Sequence, residues 1–148
     1  MNETLMKFGY PESVIKSYSH WSVLLRPQQV TLGSLILASH SQSHAFSALE
    51  SPAMQEMAII IKDIESALTR CFKYDKINYL MLMMVDPHVH FHVIPRYKDF
   101  REFESLKITD SAWPGPPNLG HEIALSEKQM QHLRRYLVEQ WSLVDPSI

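Results

Sequence analysis

Residues 86 to 97 read Asp-Pro-His-Val-His-Phe-His-Val-Ile-Pro-Arg-Tyr, with histidines at alternate positions of an otherwise apolar run. The three histidines are His88, His90 and His92. The β-branched and aromatic residues between them favour an extended strand. Side chains two residues apart on a strand point to the same face, about 6.6 Å apart. We therefore expect the three imidazoles to share one face, while the alternating residues pack on a core. These are Val89, Phe91 and Val93.

Three polar rings on one half-buried strand each need a partner, and this cost favours a functional explanation. One reading is phosphorus chemistry, in which a neutral imidazole attacks and its neighbours hold its tautomer, bind phosphate oxygens and protonate a leaving group. The other is a metal site, because a His-x-His pair can bind zinc. The outer two rings would lie about 13 Å apart along a straight strand, which makes three-way ligation difficult.

Composition limits the other possibilities. The chain has 148 residues, 45% hydrophobic and 20% charged, with a formal net charge of −2. These values predict a single globular domain over residues 1–148 and no nucleic-acid partner. No apolar segment is long enough to cross a membrane, no signal peptide is recognisable, and Cys71 is the only cysteine. We therefore expect a cytoplasmic protein without a membrane partner, in which Cys71 is a buried structural thiol.

The remaining elements are read from periodicity and turn residues. Residues 12–18 could form a short helix. Two apolar runs, residues 21–26 and 34–39, predict a hairpin joined by 27–33. Residues 77–85 suit a central strand that a tight turn at 86–87 would pair antiparallel with the histidine strand. Residues 98–104 are expected to form loop and edge structure, and 113–120 an ordered loop.

Two helices are predicted. The first has Ser51 as N-cap and Pro52 at its first position. Its expected buried stripe is Met54, Met57, Ile61, Ile64, Leu68 and Cys71. The second opens with a capping box between Ser126 and Gln129. Its expected buried stripe is Met130, Leu133, Leu137 and Trp141. No role is assigned to His132, Arg134 and Arg135 on its solvated face.

The segment His-Val-His-Phe-His-Val-Ile-Pro-Arg resembles the signature of the histidine triad (HIT) family. The order of the hairpin and the long helix extends the resemblance to about residues 18–100, with a C-terminal loop and helix over 101–148. The residues that follow the triad, Ile94-Pro95-Arg96-Tyr97, resemble those found in the branch of the family that is related to dinucleoside polyphosphate hydrolases. The resemblance implies an α+β fold, with an antiparallel sheet of about five strands and the two helices packed on it, usually in a homodimer.

The resemblance also implies hydrolysis or transfer at the α-phosphate of a nucleotide, with diadenosine polyphosphates as model substrates. His90 would be the nucleophile and form a nucleotidyl-histidine intermediate. His92 would orient it through backbone or phosphate contacts, and His88 would bind the phosphates and help the leaving group depart. This chemistry requires no cofactor, although a divalent cation could accompany the nucleotide.

The chain departs from the family pattern at three places. Arg26 stands where many members have a sugar-binding asparagine, and Ser34 rather than histidine follows Gly33. The Gly-Gln-Ser/Thr phosphate loop before the triad is replaced by Asp86-Pro87. The side chains of Arg26, Ser34 and Gln29 could supply the phosphate-binding donors instead.

Other residues near the predicted pocket have ordinary explanations beside functional ones. His40 and His44 could border the pocket, but solvent exposure in a polar turn is the simpler expectation for both. Trp21 and Tyr97 could stack on a base or simply belong to the core. Arg96 is expected to pair with an acidic neighbour or a backbone carbonyl.

Three hypotheses follow from these patterns. The first is a nucleotide phosphoanhydride hydrolase or nucleotidyl transferase acting through His90. The second is a nucleotide-binding module with little or no turnover. The third is a metal-binding protein that uses the histidine row. The enzymatic hypothesis requires the middle imidazole, that of His90, to face an opening that can receive a phosphate.

Overall fold

A computed structural model describes residues 2–143 and has an α+β architecture around a five-stranded antiparallel sheet. The sheet strands are β1 (Val14–Ser17), β2 (Trp21–Leu25), β3 (Leu35–Ser39), β4 (Lys76–Leu80) and β5 (His90–Arg96). A separate hairpin consists of β6 (Arg101–Phe103) and β7 (Leu106–Ile108). The helices are α1 (Glu3–Lys7), α2 (Ser51–Phe72) and α3 (Glu127–Trp141), with a 3-10 turn at Phe46–Ala48. None of these helices is both long and apolar enough to span a bilayer.

The strand order is β1-β2-β3-β5-β4. The predicted hairpin is confirmed, because β2 and β3 pair antiparallel from Trp21 opposite Ser39 to Leu25 opposite Leu35. The histidine strand β5 lies between β3 and β4, and its antiparallel pairing with β4 is also confirmed. The backbone of β5 is therefore hydrogen-bonded to a strand on each side.

Two local predictions in the sheet are wrong. Residues 12–18 include the strand β1, because pairing with β2 outweighs a weak helical pattern. The strand predicted over 77–85 ends at Leu80 and lies at the edge of the sheet. Residues 81–89 leave the sheet as a loop rather than a tight turn at 86–87, and Met84 and Val85 are 84% and 85% exposed.

Both predicted long helices are present. Helix α2 has Glu50 rather than Ser51 at its N-cap, and its buried face is rotated from the predicted one, so that Met54 is exposed. Two neighbouring stripes fit the sequence, and packing on the sheet selects one of them. The buried residues are Ala53, Ile60, Ile64, Ala67, Leu68 and Phe72. Cys71 is only partly buried, and burial raises the pKa of its thiol to about 11.

Helix α3 confirms the predicted capping box and three of the four residues of its buried stripe, whereas Met130 is only partly buried. The Ser126 side chain accepts from the Gln129 backbone, and the Gln129 side chain accepts in return from the Ser126 backbone. The predicted residues Leu133, Leu137 and Trp141 are buried. Arg134 also contributes to the fold, because its Nε donates to the Val14 carbonyl at 2.8 Å.

The two faces of the sheet are covered differently. Helices α2 and α3 pack on one face and form the main core with it. A smaller apolar cluster covers the other face. It consists of Leu5, Phe8, Leu24, Ile36 and Ala38. The segment of residues 2–10, which we call the N-terminal arm, therefore closes the sheet on the side opposite the helices.

Candidate active site

The histidine row lies at the start of β5. His90 and His92 are opposite Ala38 and Ile36 of β3, and their ring centroids are 5.2 Å apart. These two rings therefore share a face, as predicted. Val89 and Val93 are fully buried in the main core on the other side. His88 precedes the strand, so its side chain is positioned by the loop and not by sheet geometry.

The hydrogen bond of His90 determines which ring nitrogen is unprotonated. Nδ1 lies 2.7 Å from the carbonyl oxygen of His88. A carbonyl can only accept, so Nδ1 carries the proton, and Nε2 of the neutral ring has a free lone pair. This Nε2 is buried and makes no hydrogen bond, unlike every other buried side-chain nitrogen or oxygen within residues 2–143. An unpartnered lone pair of this kind is unusual in a stable interior and is typical of a functional atom.

The ring of His92 is hydrogen-bonded to the guanidinium of Arg26. Nε of Arg26 donates to His92 Nδ1 at 3.3 Å, and Nη1 of Arg26 donates to the Gln28 carbonyl at 2.6 Å. Burial, followed by the positive charge of Arg26, lowers the pKa of His92 from 6.5 to about 4. His92 is therefore neutral at physiological pH.

His88 is held by two neighbours. The Thr4 hydroxyl lies 3.1 Å from His88 Nδ1 and accepts from the His88 backbone N–H at 3.3 Å. The ring of His44 meets the ring of His88 edge-on, with centroids 4.7 Å apart. Burial, with a smaller contribution from His44, lowers the pKa of His88. All three residues of the row are at most 7% exposed.

The N-terminal arm accounts for this burial. The ring of Phe8 lies 5.7 Å from the rings of both His90 and His92. Asn2 anchors the start of the arm by donating to the Ser39 and Ser41 carbonyls at 2.8 and 3.0 Å. His90 is 0% exposed, so the condition that its imidazole faces an opening is not met in this conformation.

An ion pair and a cavity mark the other end of the arm. Lys7 lies 2.8 Å from Asp86, which belongs to the loop before the histidine strand. A cavity of about 180 Å³ lies where the arm meets the end of β2. Its lining residues are Lys7, Phe8, Arg26, Pro27 and Gln28. The cavity therefore has a basic lining and includes the arginine that contacts His92.

A comparison with protein-family models identifies the family of this chain. The model of the HIT domain matches residues 13–99, which contain the sheet, helix α2 and the histidine row. The chain belongs to the HIT family. The N-terminal arm that covers the histidines lies outside the matched residues. No curated protein matches the sequence of this HIT protein.

Solved structures show the same fold at low sequence identity. A HIT protein from Sinorhizobium meliloti 1021 is 19% identical with a TM-score of 0.73, and the match covers 95% of each chain. A histidine triad protein from Marinobacter aquaeolei VT8 is 21% identical with a TM-score of 0.72, covering 95% of this chain and 96% of the other. A diadenosine triphosphate hydrolase from Plasmodium falciparum is 12% identical with a TM-score of 0.61, covering 87% and 76%.

The candidate phosphate ligands of this HIT protein separate into two groups. Arg26 lies at the site. The amide of Gln29 instead hydrogen-bonds the carbonyls of Arg26 and Ser34 and the N–H groups of Gly33 and Ser34. The Ser34 hydroxyl bonds the backbone of Thr31. The polar atoms of Gln29 and Ser34 are therefore used in hydrogen bonds within the β2–β3 connection, and of the three candidate ligands only Arg26 contacts the histidine row.

Burial and hydrogen bonds show that Trp21, Tyr97 and Arg96 have structural roles. Trp21 and Tyr97 belong to the core, where Trp21 Nε1 donates to Ala53 and the Tyr97 hydroxyl to Leu32. Arg96 pairs with Asp110 as expected, with Nε and Nη2 at 2.7 and 3.2 Å from its oxygens. No group of three His, Cys, Asp or Glu side chains within residues 2–143 is arranged to hold a metal ion.

Sequence reasoning missed the two arm residues that touch the row, Thr4 and Phe8. A signal for them exists. Asn2 is an N-cap residue whose side chain accepts from the Leu5 N–H at 2.9 Å, and the apolar Leu5 and Phe8 follow at helical spacing. This pattern predicts a short amphipathic helix, but it does not identify the surface on which the helix packs.

Proposed function

We propose that this HIT protein hydrolyses a nucleotide phosphoanhydride, or transfers its nucleotidyl group, with His90 as the nucleophile. The observation that supports the proposal is the buried and unpartnered Nε2 of His90, in a ring whose Nδ1 donates to the His88 carbonyl. A neutral imidazole in this tautomer is ready to attack an electrophilic phosphorus.

The reaction needs only the nucleotide and water, or another acceptor hydroxyl in place of water. Attack by His90 Nε2 on the α-phosphorus forms an N–P bond and breaks the anhydride P–O bond, and the leaving phosphate departs with its electron pair. The oxygen of water, or of another acceptor hydroxyl, then attacks the same phosphorus, forms a P–O bond and loses its proton, while the N–P bond breaks and its electron pair returns to the imidazole. His92 would contact the phosphate, and His88 would bind the phosphates and assist the leaving group.

Turnover would require the N-terminal arm to move, because His90 is 0% exposed and the Phe8 ring packs 5.7 Å from its ring. The arm is held by a small apolar cluster and few polar contacts, and local openings of such segments cost less than global unfolding. Binding of a nucleotide that competes with these contacts would shift the population toward the open state.

A dinucleoside polyphosphate is the first substrate to test, since a diadenosine triphosphate hydrolase shares this fold. The protein is incubated with diadenosine triphosphate labelled at the α-phosphates and quenched in alkali, in which a phosphohistidine bond survives. We expect label on the wild-type chain and none on His90→Ala. His121→Ala is the control, since its ring lies outside the row. Label retained by His90→Ala would show that another residue is the nucleophile.

The second candidate function is nucleotide binding with little turnover. The complete burial of His90 and the Asp86-Pro87 pair in place of a phosphate loop favour it. Binding of AMP by calorimetry and cleavage of diadenosine triphosphate are measured on the same preparation. Binding without cleavage over hours supports this function, whereas cleavage that His90→Ala abolishes excludes it. The homodimer and the cytoplasmic location implied by the family resemblance stay predictions.

A further inference from the structure

Arg26 is a buried cation that forms no ion pair within residues 2–143. It is 6% exposed, and no carboxylate within residues 2–143 lies at salt-bridge distance from it. Burying an unpaired charge is costly, so such a residue is retained where the charge is used. Nη2 of Arg26 makes no hydrogen bond within the same residues, although Nε and Nη1 each make one.

The Nε contact determines the proton position on His92. A guanidinium has five N–H donors and no acceptor. A hydrogen bond from Arg26 Nε to His92 Nδ1 therefore requires Nδ1 to be unprotonated, and the single proton of the neutral ring must lie on Nε2. The positive charge beside the ring also opposes its second protonation.

The two neighbouring rings consequently have opposite tautomers. His90 carries its proton on Nδ1 and has a free lone pair on Nε2, whereas His92 carries its proton on Nε2. One ring can attack a phosphorus while the other donates a hydrogen bond to a phosphate oxygen. A backbone carbonyl sets the first tautomer, and a side chain from a different strand end sets the second.

We propose that Arg26 is a positioning residue that holds His92 as a neutral hydrogen-bond donor, with its proton on Nε2. In this role Arg26 acts through His92, and Arg26 also lines the basic cavity that contains Lys7. The catalytic use of the donor rests on the function proposed above. The tautomer itself does not, because it is a property of the protein without nucleotide.

The test is a long-range ¹H–¹⁵N correlation spectrum of the imidazoles in uniformly labelled protein, recorded without nucleotide between pH 4 and 8. The ionisable groups around His92 are Arg26, His90, Asp86 and Lys7. In the wild type we expect His92 to be neutral at pH 7, protonated on Nε2 and unprotonated on Nδ1. Nδ1 protonation, or a charged ring at pH 7, would overturn the proposal and needs no variant to detect.

A variant pair tests the cause. Arg26→Met replaces the guanidinium with a shorter unbranched side chain that has neither donor nor charge, and Arg135→Met is the matched control on the exposed side of α3. We expect Arg26→Met to give a mixture of His92 tautomers and to raise the pKa of His92 from about 4 toward 6.5. Arg135→Met should change neither. An unchanged His92 in folded Arg26→Met would refute the positioning role, whether or not His90 proves to be catalytic.

Discussion

The Phe8 ring lies against the His90 ring, with centroids 5.7 Å apart and planes tilted by 43°. This contact joins the N-terminal arm to the ring whose Nε2 is the one buried side-chain nitrogen or oxygen without a hydrogen-bond partner within residues 2–143. The arm thus helps to shield this imidazole from solvent. It also makes access to His90 depend on an opening motion rather than on the geometry of the sheet alone.

Removal of the Phe8 ring should expose His90. Phe8→Ala leaves a gap over the imidazole, so we expect faster carbethoxylation of His90 by diethyl pyrocarbonate, read by peptide mass spectrometry. A buried phenylalanine truncated to alanine typically costs about 3 kcal/mol of stability or more. Phe100→Ala is the control because Phe100 is 47% exposed. Equal His90 modification in Phe8→Ala and the wild type, both folded, would mean that the arm does not limit access.

Stability should fall as the pH is lowered from about 6.5 to about 4, the ordinary and the folded pKa of His92. Below pH 6.5 His92 is protonated in the unfolded chain but stays neutral in the folded protein. Folding therefore becomes less favourable as the pH falls, until the folded ring is also protonated near pH 4. The loss attributable to His92 is at most about 3–4 kcal/mol, because each pKa unit corresponds to about 1.4 kcal/mol.

Urea unfolding at pH 7, 5.5 and 4.5 measures this loss. His92→Gln cannot titrate, so its free energy of unfolding should vary less over the same range. His88, whose pKa is also lowered by burial, would contribute to any slope that remains. A pH dependence identical in His92→Gln and the wild type would remove His92 as its source.

Asp110 should be essential for the stability of the sheet end that carries Arg96. The pair is buried, with the side chains of Arg96 and Asp110 only 5% and 2% exposed, and Asn78 accepts a further hydrogen bond from Arg96. Removing one member of a buried ion pair typically costs about 3–5 kcal/mol because the other charge is left uncompensated. Asp110→Ala should therefore unfold at markedly lower urea concentration, whereas the exposed control Asp99→Ala should not. A midpoint for Asp110→Ala within error of the wild type would contradict the structural role of the pair.

Gly33 should resist substitution. Its φ is +86°, and a Cβ atom there would lie 2.9 Å from Cε2 of Phe72. Gly33→Ala combines backbone strain of about 1–2 kcal/mol with displacement of a core ring. Gly120→Ala is the matched control, since the nearest atom to its added Cβ is 3.3 Å away and belongs to a side chain. A thermal denaturation midpoint that falls equally in both variants would not support this explanation.

The sequence alone determined the alternation of the histidines and the apolar residues, because the two-residue period of a strand is a local property of the backbone. It also determined the hairpin, the two long helices and the capping box at Ser126, which depend on residues a few positions apart. The family follows from the same local signature, and the family model matches 13–99.

Only the tertiary structure decided the chemical state and the accessibility of the site. Arg26 meets His92 across 66 positions of sequence, and Thr4 meets His88 across 84. The same holds for Phe8 over His90, for the edge position of β4 and for the buried face of α2. These features result from which surfaces pack together, and no periodic pattern within one segment specifies its partner.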